Sequence, residues 1–236
     1  MFKKEHKVIE FAISENSRGL AKIPQQAKTY LPKWYKDIPL REVNTKKYES
    51  ALTLKACVPF LDAITSGYIF ELWTDIEVFY ESNSPMPFFG WGKNENNLIE
   101  FRNPESIGEM PSKDGYLNLN TAIEIPLYIK TPPGYSILIT SPFNRQDLIL
   151  NSFSGVVDTD KYPLYPGRIP FMLKEGFEGV IEAGTPLIQI IPFKRTDWVS
   201  TENNNIIEEG KLSKKRSASK FFGWYRYEAH SKKGYN

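Results

Sequence analysis

Short runs of alternating apolar and polar residues dominate the second half of this chain. Alternation with a period of two is typical of strands that bury one face. Clusters of Gly, Pro, Asn and Asp, which favour turns, separate the runs. The runs that predict strands are 123–130, 135–141, 147–153, 168–173, 178–182 and 187–193. Many short strands at such regular spacing indicate a β-barrel or a sandwich.

The stretch from 51 to 120 is less regular. LTLKACVPF at 52–60 and GYIFELWTDIEVFY at 67–80 predict two further strands, with LDAITSG between them. Residues 81–120 are rich in Asn, Gly and Pro, which predicts loops that leave the sheet.

The pattern also divides the chain into parts. KVIEFAI near the start predicts a strand, and a helical turn is expected at Lys33–Asp37. Trp34 and Tyr35 are expected to hold this N-terminal region against the body. After Trp198 the polar segment STENNN leads into a basic region with one expected helix. The predicted parts are an N-terminal arm packed on the body, a β domain and a C-terminal extension, at 1–50, 51–198 and 199–236.

Composition supports a folded, mainly β protein. Aromatic residues make up 14% of the 236 residues, which favours strands. The single cysteine, Cys57, cannot form a disulfide within the chain, which suits a reducing compartment. We expect Cys57 to be buried as a small apolar residue. The start, MFKKEHKVIEF, predicts no signal peptide, and no apolar run approaches the ~20 residues that span a bilayer. We therefore expect a protein of the cytoplasm or of a particle, neither secreted nor embedded in a membrane.

Charge is unevenly spread along the chain. Residues 211–236 contain eight Lys or Arg and one acid, Glu228, whereas the rest contains 22 basic and 27 acidic residues. The basic, aromatic C-terminal region allows three interpretations. It could contact nucleic acid, it could dock on a subunit or another protein, or it could close over its own body. We favour the second and third over nucleic acid. The residues that would dock on a partner are Phe221, Phe222, Trp224 and Tyr227.

Four motifs in a fixed order carry a resemblance to a known family. The turns in them have a physical basis, because Pro fixes φ and Gly allows positive φ in Pro133–Gly134. The motifs are SGYIF at 66–70, PPGY at 132–135, GVVDTDKY at 155–162 and AGTPLIQII at 183–191. In order and spacing they resemble the dUTPase and dCTP-deaminase superfamily, which has the β-clip fold. The resemblance implies a distorted β-barrel or sandwich of that type and a homo-oligomer.

The resemblance also implies a nucleotide site, although this chain departs from its pattern. Asp158 matches the Asp that activates water near bound magnesium in that family, and it is the candidate catalytic residue. Tyr162 lies one residue later than the family's Tyr, and Pro142 removes an amide donor where a phosphate grip would lie. The C-terminal region has one Gly and five aromatics from 220 to 227, where hydrolytic members have a Gly-rich tail. The ligand-binding candidates are Ser141, Arg145, Asp158, Asp160, Tyr162 and Gln189.

These polar residues have structural alternatives. Asp158 and Asp160 point to one face if their strand alternates, which would suit a metal or water-activating pair. They could equally be hairpin residues that bond the backbone. Gln189 is the only polar residue between Leu187 and Phe193, so it could reach a ligand or be satisfied by backbone groups.

Other chemistries find no support in the sequence. The two histidines, His6 and His230, lie near opposite ends and lack the spacing of zinc ligands. Phosphate-binding and dinucleotide fingerprints are absent from the sequence. We therefore expect no cofactor or metal, with Mg²⁺ only if the chain is a hydrolase.

A second resemblance covers the whole chain. The segments LPKWYKDIP, KACVPFLDAITSGY and HSKKGY are similar to segments of uncharacterised proteins of tailed phages that infect marine bacteria. This implies a non-enzymatic phage protein that binds a partner in the virion or the host cell. The alternatives are a metal-dependent nucleoside triphosphate hydrolase of dUTPase type and a protein that binds nucleotides without cleaving them.

Overall fold

The protein is mainly β. A computed structural model describes residues 7–44, 49–92, 98–111, 113–163, 167–219 and 223–235. Within them the strands form several antiparallel sheets that do not close into a barrel. The strands, β1 to β16, are Glu10–Ile13, Gln25–Gln26, Arg41–Asn44, Glu49–Leu52, Tyr68–Glu71, Ile76–Phe79, Phe88–Trp91, Ile99–Phe101, Tyr116–Glu124, Leu127–Lys130, Tyr135–Thr140, Leu150–Ser152, Gly155–Val157, Arg168–Lys174, Gly179–Ile181 and Pro186–Lys194.

Helices are short except near the C-terminus. The α-helices, α1 to α4, are Lys33–Asp37, Val58–Thr65, Pro104–Ile107 and Ile206–Ser219. Three short 3₁₀ helices lie at Glu15–Ser17, Ala27–Tyr30 and Leu54–Ala56, and one turn of π-helix lies at Tyr225–Ala229. None of the helices in the described ranges is both long and apolar enough to cross a membrane.

Five sheets account for the strands in the described ranges. The largest has the order β13-β11-β16-β5-β2, and a four-stranded sheet has the order β12-β14-β9-β8. A three-stranded sheet β15-β6-β7 and the pairs β1-β10 and β3-β4 complete the set. Strand β16 lies in the middle of the largest sheet, where it pairs with β11 on one side and β5 on the other.

The core lies where these sheets meet. Phe70 and Ile190 from the five-stranded sheet join Ile123 and Phe171 from the four-stranded sheet in one buried cluster. Alternation within each strand decides which side chains enter it: in β6, Ile76 and Val78 are buried while the residues between and after them are exposed. Burial of this apolar surface is the main source of stability.

The structure corrects the prediction for residues 52–60. The segment predicted as a strand is strand β4 only to Leu52, and it continues as a 3₁₀ helix and then as α2. Pro59 lies in the first turn of α2, where the missing N–H costs nothing. The prediction that Cys57 is buried was wrong, because Cys57 is exposed at the junction between the two helices.

Helix α2 ends against the central strand. Gly67 follows it with φ +67°, as is common just after a helix. A Cβ on Gly67 would lie 2.0 Å from the carbonyl oxygen of Ile190 in β16. No side chain fits at that distance, so this position requires glycine both for its backbone angle and for the close approach of two backbones.

We expect Gly67→Ala to lower the free energy of unfolding by at least about 3 kcal/mol, because it adds a clash with β16 to the cost of positive φ. Gly19→Ala is the matched control. Gly19 has φ +87°, and a Cβ there meets nothing within 4 Å, so we expect a loss of only about 1–2 kcal/mol. Urea unfolding of the two variants measures the difference. Equal losses would show that the approach to β16 contributes nothing.

Candidate functional site

Two turns position Asp158 and Asp160. The first turn lies at Pro133–Gly134, where Gly134 has φ +82°, and it leads into β11. The second follows β13 at Asp158, so Asp158 and Asp160 lie in a turn and not in an alternating strand. Because β11 pairs with β13, the two turns lie side by side at one end of the five-stranded sheet.

Arg195 lies between the two carboxylates. It directly follows β16, and its backbone N–H donates to the carbonyl of Gly134 at 2.9 Å. Its Nη1 lies 2.8 Å from Oδ1 of Asp160 and 3.1 Å from Oδ1 of Asp158, and its Nη2 donates to Oδ2 of Asp160. The guanidinium therefore joins the end of β16 to the turn after β13 through planar, charge-assisted hydrogen bonds.

Further donors occupy the same carboxylates. The hydroxyl of Ser136 donates to Asp158 Oδ1 at 2.6 Å, and the N–H of Gly134 donates to Asp160 Oδ2 at 2.8 Å. The side chain of Asp160 is only 6% exposed, whereas that of Asp158 is 48% exposed. Asp160 is thus an internal structural anion, and Asp158 retains one face toward solvent.

The cluster lowers the pKa values of both acids. Hydrogen bonds from Arg195, aided by the Gly134 N–H, outweigh burial and hold the pKa of Asp160 well below its usual range. The hydrogen bond from Ser136, with the charge of Arg195, lowers the pKa of Asp158. A general base works best when its pKa lies near the working pH. These carboxylates are therefore weak bases at neutral pH.

Gln189 is fully buried in β16, and backbone groups satisfy its amide. Its Nε2 donates to the carbonyls of Ala63 and Ser66 at 3.0 and 2.6 Å, at the end of α2. Its Oε1 accepts the N–H of Phe143 at 2.8 Å. Carbonyls in the last turn of a helix lack partners within the helix, so Gln189 ties α2 to the central strand.

The ligand-binding candidates do not converge on one point. Gln189 pairs with Thr140 in β11, whereas Asp158 bonds Ser136 of the same strand. Four residues of strand separate these positions by about 13 Å. Ser141 lies beside Thr140 and its hydroxyl accepts from Asn151 at 3.2 Å.

Two other candidates lie apart from this end of the sheet. Arg145 makes a bidentate pair with Asp147 and donates to the carbonyl of Tyr30 at 3.2 Å. The indole N–H of Trp34 also donates to Asp147, at 3.3 Å, so these contacts join the N-terminal region to the body. Tyr162 is exposed beyond the second turn, with its N–H bonded to the carbonyl of Asp158.

A cleft of about 700 Å³ lies between α2 and the C-terminal residues. Asp62 of α2 accepts hydrogen bonds from His230 Nε2 at 2.9 Å and from Lys233 Nζ at 2.7 Å. Burial alone would raise the pKa of Asp62, but the bonds from Lys233 and His230 outweigh it and lower the pKa. The last part of the described chain therefore closes over its own body.

The partner-binding candidates lie before this contact. Phe221 and Phe222 lie outside the described residues. Tyr227 is strongly exposed and lines the cleft, and the indole N–H of Trp224 donates to Glu228 at 3.0 Å. Within the described ranges no group of three or more His, Cys, Asp or Glu residues is placed to hold a metal ion.

Sequence reasoning missed two residues that organise these contacts. Arg195 directly follows β16, and the only signal for it in the sequence was a basic residue at the end of a predicted strand. Asp62 falls in LDAITSG, between two predicted strands, but it lies in α2 and binds two residues that are about 170 positions away. The spacing of residues along the chain cannot predict a contact between residues so far apart.

The Asp160 contacts predict a specific response to acid. Because the folded-state pKa of Asp160 lies below the unfolded value of about 3.9, its contribution to stability is present above about pH 4 and is lost as the pH falls through the folded-state value. We expect the urea midpoint of the wild type to fall more steeply below pH 4 than that of Asp160→Asn. Parallel curves for the two proteins would contradict this. Asp37→Asn, at a surface pair, is the control and should follow the wild type.

The Asp62 contacts predict that Asp62→Asn loosens the C-terminal residues. Loss of the bonds to His230 and Lys233 is expected to cost about 1 kcal/mol, which corresponds to roughly fivefold faster cleavage by trypsin after Arg226, Lys232 or Lys233. Mass spectrometry of the fragments measures this rate. Asp37→Asn should leave the rate unchanged. An unchanged rate in Asp62→Asn would show that the contact does not hold the segment.

Comparison with protein-family models, with curated proteins and with solved structures found no match. The family resemblance of the four motifs therefore stays a prediction. The function has to be inferred from the contacts of the chain's own residues.

Proposed function

We propose that this chain is a non-enzymatic β-domain protein of the β-clip type, encoded by a tailed phage, that binds a protein partner in the virion or in the cytoplasm of the host. The phage origin rests on the similar segments along the chain. The β-clip assignment is supported by the sheet, because the second, third and fourth motifs supply β11, β13 and β16, which are neighbours in it.

The observation that carries the proposal is the position of Arg195. Its guanidinium is shared between Asp158 and Asp160, the two carboxylates on which nucleotide hydrolysis would depend. A water-activating base needs a free lone pair and a proton affinity near neutrality. Here Arg195 and Ser136 occupy Oδ1 of Asp158, and although the side chain is 48% exposed, the pKa of the carboxyl group is lowered, so it is a weak base at neutral pH. The arrangement favours a structural role for the cluster.

A binding role is supported by the C-terminal aromatics. Tyr227 is 74% exposed at the edge of the cleft, on a segment that the Asp62 contacts hold in place. Tyrosine offers a large, rigid contact area with a polar tip and is enriched in protein interfaces. An exposed Tyr on a fixed segment is pre-organised for a partner.

The first test is hydrolysis. We expect the wild-type chain, incubated with a panel of nucleoside triphosphates and MgCl₂, to release no more pyrophosphate than the Asp158→Ala variant. Release that disappears in Asp158→Ala would overturn the proposal in favour of a metal-dependent hydrolase. Saturable thermal stabilisation by a nucleotide without hydrolysis would favour a nucleotide-binding protein instead.

The second test addresses the partner directly. We expect the tagged wild-type chain to copurify with phage particles or with a host protein from infected cells. Tyr227→Ala should lower recovery at least about tenfold, as a buried interface Tyr does. Tyr128→Ala, which removes an exposed Tyr from β10, is the matched control and should keep full recovery. Equal recovery from the two variants would contradict a binding role for the C-terminal segment.

A further inference from the structure

The cleft between α2 and the C-terminal residues carries an excess of positive charge. Asp62 is the one acid among the described residues that line it, and Asp62 is paired with His230 and Lys233. The other basic residues of the lining are Lys28, Arg226 and Lys232. Within the described ranges these three form no ion pair. Three cationic groups therefore converge on one concave surface without an anionic partner.

Helix α2 gives the cleft an apolar wall. Val58 and Leu61 line it, and they lie three residues apart, on one side of the helix. Tyr227 and Tyr235 add aromatic rings from the C-terminal residues. The volume of about 700 Å³ lies within the range of sites that enclose a ligand, and such sites combine an apolar lining with a few polar groups.

One buried polar atom of the cleft residues lacks a donor. Gln26 lines the cleft and lies in β2, at the edge of the five-stranded sheet. Its Oε1 is buried and accepts no hydrogen bond from any described residue. Most buried side-chain acceptors have a partner, and an amide oxygen needs an N–H or O–H group. The last torsion of a glutamine is soft, so a small rotation turns Oε1 toward a donor in the cleft.

These features together define the chemistry of the occupant. It must bring negative charge for the three cations, a hydrogen-bond donor for Gln26 and apolar groups for the wall of α2. A peptide segment rich in Asp or Glu has all three, because its carboxylates lie beside backbone N–H groups and aliphatic side-chain stems. An inorganic anion brings no apolar group.

A nucleic acid fits the cleft less well. Its backbone phosphates are acceptors only, so they leave Gln26 Oε1 without a donor. Proteins that bind duplex DNA commonly neutralise about 6–10 phosphates, whereas the described lining offers three unpaired cations. The basic groups also lie around a cleft and not along an extended stripe.

We propose that the cleft binds an acidic peptide segment of the protein partner. Lys28, Arg226 and Lys232 contact its carboxylates, Gln26 accepts one of its N–H groups, and Tyr227 packs on it at the edge of the cleft. The inference rests on the proposed function, because it gives the chemistry by which that partner is recognised.

A short peptide tests the site directly. The probe is a dye-labelled hexapeptide of four glutamates and two leucines, and its binding to the wild-type chain is followed by fluorescence anisotropy in about 20 mM NaCl, where charges are weakly screened. We expect a dissociation constant below about 100 μM. The counterpart in which glutamine replaces each glutamate should bind at least about tenfold more weakly. A constant above 100 μM for the acidic peptide, or equal binding of the two peptides, overturns the proposal.

Charge reversal locates the peptide in the cleft. Arg226→Glu with Lys232→Glu should weaken binding of the acidic peptide at least about tenfold and should bind the lysine counterpart of the peptide more tightly than the wild type does. Lys130→Glu with Lys174→Glu makes the same change in net charge at exposed lysines of β10 and β14, outside the cleft lining, and should leave binding within about twofold. Equal losses in the two double variants overturn the proposal.

Gln26→Met tests the unsatisfied acceptor. Methionine has a similar shape and needs no donor, so we expect a urea midpoint no lower than that of the wild type. The same variant should bind the acidic peptide about fivefold more weakly, because one hydrogen bond to the peptide is lost. A merely structural Gln26 would give the reverse result, a lower midpoint with unchanged binding, and that result overturns its role in the site.

A nucleic-acid ligand and a failure of the proposed function are told apart by further results. Tighter binding of a dye-labelled oligonucleotide of six thymidines, lost in Arg226→Glu with Lys232→Glu, overturns the proposal in favour of nucleic acid. A chain that copurifies with phage particles but does not bind the acidic peptide overturns this inference alone. Asp158-dependent pyrophosphate release from a chain that binds the peptide overturns the non-enzymatic function and leaves the peptide site standing.

Discussion

The position of β16 is the constraint on which the rest of the structure depends. This strand pairs with β5 over its first half and with β11 over its second, and its buried apolar side chains lie in the core. The backbone of Gly67 presses against Ile190, and Gln189 reaches the end of α2 and the loop at Phe143. Directly beyond the strand, Arg195 joins the Pro133–Gly134 turn to the turn that holds Asp158 and Asp160. A shift of β16 by one residue would break all of these contacts together.

Polar groups that resemble a catalytic site can instead determine the register in which two strands pair. A buried polar side chain costs free energy unless its partners are in place, so a satisfied Gln189 favours one pairing of β16 over its neighbours. The same holds for Asp160, whose nearly buried carboxylate is stable only where Arg195 and the Gly134 N–H meet it. Such contacts select among arrangements that apolar packing alone would leave similar in energy.

The elements of this structure that depend on neighbouring residues could be predicted from the sequence. The strand pattern after residue 123, the Pro133–Gly134 turn and the helix in the C-terminal region all depend on near neighbours, and the structure has them. The strand predicted at 52–60 was wrong beyond Leu52, since a short apolar run fits a helix as well as a strand and the Pro favoured a helix start.

The contacts within the candidate site were harder to predict from the sequence. Its acids were found as residues of the right type, but their partners, Arg195 and the Gly134 N–H, come from strands that only the folded sheet brings together. The four motifs supply neighbouring strands of one sheet, yet the contacts of Asp158 and Gln189 lie at different places along β11. A motif order that resembles that of an enzyme family therefore says little about whether the reacting groups meet.

The part of the chain between Arg195 and His230 is held at both ends. It leaves the body at Arg195, which bonds Asp160, and returns to it at His230, which bonds Asp62. Between these two points α4, with 14 residues, is a rod about 21 Å long. A helix tethered on both sides moves as a loop and not as a free tail, so a movement of α4 leaves both anchors in place, and loss of one anchor still leaves the helix joined to the body by the other.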